Sequence, residues 1–412
     1  MGIDRGYSTE HKSREHLLPL LPKSQDELPV RTMKDSFSMA VIPLSRDASL
    51  QEKYVSVFGS VRYGRLLEAL DMFAVWVAHR HISNPKRKPD DDTPYVIVTV
   101  LVDQIDFVPL SSQVIDDIYL SGHVSWVGKS SMEVSVWVEQ VIANKLKKVM
   151  NASFLMAARN TTLTHSAFVN PLVAENDTEA AIIKGGESRR NRRLHFQTHS
   201  LLKVTPDEEE MILIHKLFLS TIDAKDPTCH RRILPSNTIW MDQVQRYNLF
   251  NGYPEDRNMH NKVFGGFIMR QALSLSHHTA TLYRGNNSPS RKVLRESALQ
   301  HFLSCSQEYA QLIHMSDILF KNSINIGDII GMQARVLYTE MNYMQVGVYA
   351  DAYVSLKRPP KHTNSFQFTY MFSNVVKPVI PRTYDDAIRY IEGRRYFQYV
   401  MGLKDKQSED SK

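Results

Sequence analysis

One order of hydrophobic patterns occurs twice in this chain, and the duplication limits its fold more than any single motif does. The stretch 102-VDQIDFVP-109 leads into 123-HVSWVGKSSMEVSVWVEQ-140, and 315-MSDILFKN-322 leads into 332-MQARVLYTEMNYMQVGVYAD-351. With Phe107 placed on Phe320, Met132 falls next to Met344. In both, a short apolar strand precedes two alternating runs joined by a polar turn, the pattern of a hairpin. A further strand closes each half, 149-VMNASFLMAA-158 and 364-NSFQFTYMFS-373. Upstream lie 57-VFGSVRYGRLLEALDMFAVWVAHRH-81 and 259-MHNKVFGGFIMRQALSLSHHTATLY-283. Each opens on glycine and runs on with apolar residues at helical spacing, in the first copy Leu66, Leu67, Leu70, Phe73, Ala74 and Val77. The unit is a long helix followed by an antiparallel sheet, an α+β arrangement present in tandem.

These patterns divide the chain into an N-terminal arm (1–35), a first domain (36–200), a linker-helix region (201–231), a second domain (232–400) and a tail (401–412). The end of the first domain, 159–200, reads as polar and irregular. In 205-TPDEEEMILIHKLFLS-220, Thr205 reads as N-cap, Pro206 as first helical residue and Glu208 as capping-box partner. The second copy carries extra residues near 284–303.

Composition excludes several classes. A length of 412 residues suits two domains, and 42% hydrophobic with 23% charged residues is ordinary for a globular protein. No apolar run is long enough for a transmembrane helix. The net charge is +6, and only 188-SRRNRR-193 concentrates basic residues, too little for a nucleic-acid footprint. Cys229 and Cys305 cannot build a disulfide framework, which suits a reducing compartment. Residues 1–18 lack a secretory apolar segment, and Asp4, Glu10 and Glu15 do not fit an intact mitochondrial transit peptide. In 122-GHVSWVGKSS-131 the glycines are one residue too far apart for a P-loop, and the segment alternates like a strand. His79, His81, His277 and His278 lack metal-site spacing, and no G-x-S-x-G elbow is present.

The segments 28-LPVRTMKDSF-37, 61-VRYGRLLEALD-71, 121-SGHVSWVGKSSMEV-134, 168-FVNPL-172, 233-ILPSNTIWM-241 and 257-RNMHNKVFGGFIMR-270 together resemble the double hotdog-fold acyl-CoA thioesterases. The likeness is greatest to the mitochondrial acyl-CoA thioesterase 9 group and extends over nearly the whole chain. It implies two hotdog domains, each a long central helix wrapped by a curved antiparallel sheet, with acyl-CoA bound in the cleft between them. It also implies hydrolysis to a free acid and coenzyme A without any cofactor, since coenzyme A is part of the substrate. A homo-oligomer of three double-hotdog units and a mitochondrial matrix location follow from it as well. A cytoplasmic location stays open, because the N-terminus lacks a clear transit peptide.

A thioester carbonyl needs attack by water or a carboxylate, and donors for the developing oxyanion. Asp71 is the acid on the apolar side of the first helix, about two turns after Gly64. A carboxylate there is partly desolvated, which suits a base or nucleophile; a solvent-facing helix acid is the competing reading. The resemblance favours the catalytic one, because family helices of this kind carry an acid at this position. Glu68, one turn earlier, reads as solvent-facing. Aligning Gly64 with Gly266 puts Leu273 opposite Asp71, so the second helix has no such acid. The second copy instead has Asn258, His260 and Asn261 just before its glycines. Paired about a pseudo-twofold axis, the copies would make one complete cleft per chain. Asn261 could donate its amide to the carbonyl or orient the water, or simply make turn hydrogen bonds, as could Asn258. His260 is a further candidate base. Gly64, Gly265 and Gly266 open helices whose free N–H groups suit an oxyanion, with no choice between the two helices. Glycine's alternative use there is tight packing. Arg192 and Arg193 could meet the phosphates of coenzyme A, or form a solvated charge run. No residue reads as a metal ligand. Competing functions are a hydratase or dehydratase on the same fold, and an inactive acyl-CoA-binding regulatory protein.

Overall fold

The computed structural model describes residues 14–403 except 57–60, 89–90, 108–115, 143–144, 199, 224, 226–227, 229–230, 259, 286–309 and 355–358. Both cysteines and most of the 284–303 insertion therefore lie outside the described residues. In chain order the elements are α1 (Met33–Ser36), β1 (Ser38–Ile42), α2 (Ala48–Tyr54), α3 (Tyr63–His81), β2 (Tyr95–Phe107), β3 (Ile118–Val127), β4 (Ser131–Ile142) and β5 (Lys145–Asn160). Then come α4 (Asp177–Thr198), α5 (Glu208–Leu219), β6 (Ile239–Trp240), β7 (Gln245–Asn251), α6 (Gly265–Gly285) and β8 (Gln311–Phe320). The chain ends with β9 (Ile329–Glu340), β10 (Tyr343–Tyr353), β11 (Lys361–Met371), β12 (Val379–Ile380) and α7 (Tyr384–Val400).

Two compact units account for these elements. The first takes the described residues of Met1–Leu194 together with Asn251–Gln271 and Ser316–Ile329. Its strands run in the order β1-β3-β4-β5-β2, with antiparallel pairings throughout. Helix α3 packs on β2, β3, β4 and β5. Its apolar face is the one read from the spacing: Leu66, Leu67, Leu70, Phe73, Ala74 and Val77 are all buried. Burying a side chain of this size contributes roughly 1.5–3 kcal/mol, so this stripe fixes the helix on the sheet. This is the hotdog arrangement. The stretch 122–131 forms the end of β3 and the turn into β4, as its alternation requires.

The second unit comprises the described residues of His195–Phe250, Ala272–Met315 and Ile330–Lys412. Read from β7, its strands run β7-β9-β10-β11-β8, the same order of positions as β1-β3-β4-β5-β2 in the first unit. On α6, Ser276 is buried and its hydroxyl lies 2.6 Å from that of Tyr370 on β11. Arg335 of β9 holds Asp386 of α7 at 2.8 Å, and Arg395 of α7 holds Glu210 of α5 at 2.6 Å.

Two local expectations are corrected. Residues 177–198, read as irregular, form α4. The helix lacks an apolar stripe because charge holds it: Arg189 and Arg193 reach the fully buried Glu133, and Arg192 and Arg193 reach the buried Asp103. Gly186 lets it approach β3, since a Cβ there would run into Trp126. The cap of α5 is Asp207, not Thr205, with Glu210 as its partner. Thr205/Glu208 and Asp207/Glu210 have the same spacing. The Glu210–Arg395 ion pair accompanies the second register, and its distant partner is invisible to a local pattern.

Candidate active site

Asp71 sits in the third turn of α3 and is 1% exposed. Thr99 Oγ1, on β2, donates to its Oδ1 at 2.6 Å, and the backbone N–H of Gly266 donates to the same carboxylate. Burial pushes the carboxyl up to about 6, with these two hydrogen bonds acting in the opposite direction. The group is thus ionised at neutral pH yet close enough to titration to accept a proton.

The first turn of α6 approaches it because it starts on two glycines. A Cβ on Gly265 would lie 3.2 Å from Asp71 Oδ2 and 3.1 Å from the Phe320 ring. A Cβ on Gly266 would lie 2.8 Å from Glu68 Cα, while one on Gly64 would lie 3.0 Å from Arg270 Cγ. The contacts are reciprocal under the alignment of Gly64 with Gly266, which also places Glu68 on Arg270. Those two side chains form an ion pair of 2.7 Å. Glu68 is not the solvent-facing acid expected from its helix position: its side chain is 13% exposed and also bonds Arg65 at 2.7 Å.

The loop before α6 is braced by a bridge between Arg257 and Val263. Asn258 Oδ1 accepts the N–H groups of His260 and Lys262 at 2.9 and 3.1 Å, so its side chain builds the turn. Asn261 occupies the left-handed region at φ 58°, which asparagine tolerates, and is half-buried. Burial pushes His260 down to about 4, with Arg14 and His79 acting in the same direction, so its imidazole is neutral at pH 7. Asp71, Gly265 and Gly266 are therefore brought into contact, with the Asn258–Asn261 loop leading into them. Arg192 and Arg193 are bound to Asp103 and Glu133.

A chain from Mus musculus named acyl-coenzyme A thioesterase 9, mitochondrial, is 38% identical over 94% of this chain and 83% of its own length. The chain belongs to the acyl-coenzyme A thioesterase family. A Homo sapiens thioesterase 9 is 36% identical over 95% of this chain and 83% of its own. An acyl-CoA hydrolase of Staphylococcus aureus is a more distant solved structure, 20% identical with a TM-score of 0.34, covering 42% of this chain and 94% of that one. No protein-family model matches the chain.

In this member of the thioesterase family, sequence reasoning missed Thr99. It is the polar residue within the apolar run from Val96 to Val102. That interruption was the available signal. It is a weak one, because threonine is at home in strands.

Proposed function

We propose that the chain hydrolyses acyl-CoA thioesters to a free acid and coenzyme A in one cleft per chain, built from α3, β2 and the start of α6. The observation that carries this reading is the buried Asp71 carboxylate, raised to about 6 and held between Thr99 and the Gly266 N–H. As a base, Asp71 takes a proton from water as the water attacks the thioester carbonyl. The tetrahedral oxyanion then collapses, the C–S bond breaks, and the coenzyme A thiolate takes the proton back. As a nucleophile, Asp71 would attack the carbonyl carbon, and the C–S bond would break to release the coenzyme A thiolate. Water would then open the resulting mixed anhydride to give the acid and restore the carboxylate.

Gly265 supplies the oxyanion donor in this reading. Gly266 spends its N–H on Asp71, and Gly265 precedes it in the same helix turn, beside the Asp71 carboxylate. First-turn N–H groups have no partner within their own helix and carry partial positive charge. Asn261 donates its amide to the same carbonyl, with Asn258 holding the loop and His260 a neutral neighbour. Arg192 and Arg193 neutralise the buried Asp103 and Glu133. The mitochondrial names of the mouse and human relatives support a mitochondrial location for this chain too. Three double-hotdog units per particle complete the proposal, to be weighed by light scattering.

Thiol release from acyl-CoAs ranging from acetyl to stearoyl tests the activity. Asp71→Ala is expected to lower kcat by about 10²–10⁴-fold, the usual contribution of a positioned acid or base. Binding without thiol release at any chain length would leave the inactive-binder alternative. Hydration of an enoyl-CoA in place of thiol release would favour the hydratase.

A further inference from the structure

The second unit holds a constellation that thioester hydrolysis at Asp71 does not use. On the β10–β11 hairpin, His362 Nδ1 lies 3.0 Å from Asp351 Oδ1, and its Nε2 lies 2.9 Å from Ser365 Oγ. A carboxylate on one ring nitrogen and a serine hydroxyl on the other is the order of groups that activates a serine nucleophile. The carboxylate holds the tautomer protonated at Nδ1, which leaves Nε2 to accept the hydroxyl proton.

A β-bulge makes this arrangement. Residues three apart on a regular strand point to opposite faces, so His362 and Ser365 should not meet. The register pairs Asp351 with His362 but Ala350 with Asn364 and Tyr349 with Ser365, shifting between Ala350 and Asp351. Thr363 is the extra residue; it is buried, and its Oγ1 donates to the Ala350 carbonyl at 3.0 Å. The shift returns Ser365 to the face that carries His362, Asp351 and Tyr349. Bulges that re-aim a side chain recur beside active sites. The face is accessible: the side chains of His362 and Asp351 are 35% and 37% exposed. Tyr349, the cross-strand partner of Ser365, carries the Arg389 guanidinium of α7 5.0 Å from its ring centre.

We propose that Ser365, His362 and Asp351 form a second hydrolytic centre, with Ser365 as nucleophile toward small activated esters. Ser365 Oγ bonds to the ester carbonyl carbon while its proton passes to His362 Nε2. The C–O bond to the aryl leaving group breaks, and the phenolate takes that proton. Water then attacks the acyl-serine with His362 again as base, releasing the acid and restoring the hydroxyl. Aryl esters fit an open strand face because their leaving groups need little assistance.

The full-length protein is treated with a fluorophosphonate, and adducts are located by peptide mass spectrometry beside an aryl acetate hydrolysis assay. A stoichiometric adduct at Ser365, absent in Ser365→Ala, is expected. His362→Gln and Asp351→Asn should each slow labelling by about 10²-fold or more. Having both variants guards against one failing to fold, and melting curves of each identify a folding failure. Asp71→Asn should lose thiol release yet keep the Ser365 adduct, so this centre and the thioesterase reading can fail separately. An unlabelled Ser365 in the wild type, or unchanged labelling rates in folded His362→Gln and Asp351→Asn, would show that the three groups merely brace the bulge.

Discussion

Ionising Asp71 inside the first unit costs free energy that its two hydrogen bonds only partly return. Its folded pKa of about 6 lies above the ordinary 3.8. Between those values the folded chain binds the proton more tightly than the unfolded one. Stability therefore falls as pH rises through that window, and the penalty is fully present above about 6. A shift of this size corresponds to about 3 kcal/mol. Asp71→Asn is expected to raise the urea-unfolding free energy by about 1–3 kcal/mol at pH 8, while abolishing thiol release. In the wild type, kcat/KM should drop about tenfold per pH unit below about 6, as the carboxylate form disappears. A flat acidic limb would remove Asp71 from the chemistry. Helix spacing put Asp71 on the apolar face, where it is buried, but spacing alone left a solvent-facing acid as a competing reading, and only the family resemblance favoured the other. Thr99 and the true surroundings of Glu68 were not legible, since both depend on partners from other elements.

At the scale of elements, a helix can be positioned by what it lacks. Gly266→Ala would place a methyl 2.8 Å from Glu68 Cα and lift the first turn of α6 from α3. Displacements of about 1 Å at a reacting centre cost about 10²-fold, so kcat should fall by that order while the melting temperature moves little. Equal losses in stability and activity would instead mark a packing defect. Helix α4 shows the converse case, an element held by charge. Arg193→Met takes a cation from both Asp103 and Glu133, and removing one partner of a buried ion pair typically costs about 3–5 kcal/mol. Burial holds Asp103 above its ordinary value, and Arg192 and Arg193 oppose that shift. Losing Arg193 raises it further, so the variant's deficit in urea unfolding should shrink as pH falls and Asp103 takes up a proton. A deficit independent of pH would mean that α4 is held by packing alone. The sequence concealed α4 because periodicity detects apolar stripes, and this helix has none.

For the whole molecule, the informative fact is which stretches fold together. The duplicated pattern is local and can be read by eye, but a compact unit is decided by contacts between residues far apart in the chain. The first unit draws in 251–271 and 316–329, which lie within the second copy of the pattern. From 251–271 come Gly266 for Asp71 and Arg270 for Glu68; from 316–329 comes Phe320, against Gly265. A fragment ending at residue 200 keeps Asp71 and Thr99 but loses all of these. Its Glu68 loses Arg270, and the raised carboxylate loses its helix N-terminus. That fragment is expected to melt without a cooperative transition and to release no thiol from acyl-CoA. Mixing it with residues 201–412 should restore activity to the extent that the two co-elute, because the missing groups are then supplied in trans. Full activity from the isolated fragment would show that Asp71 works without α6, and the shared-cleft reading would fall with it.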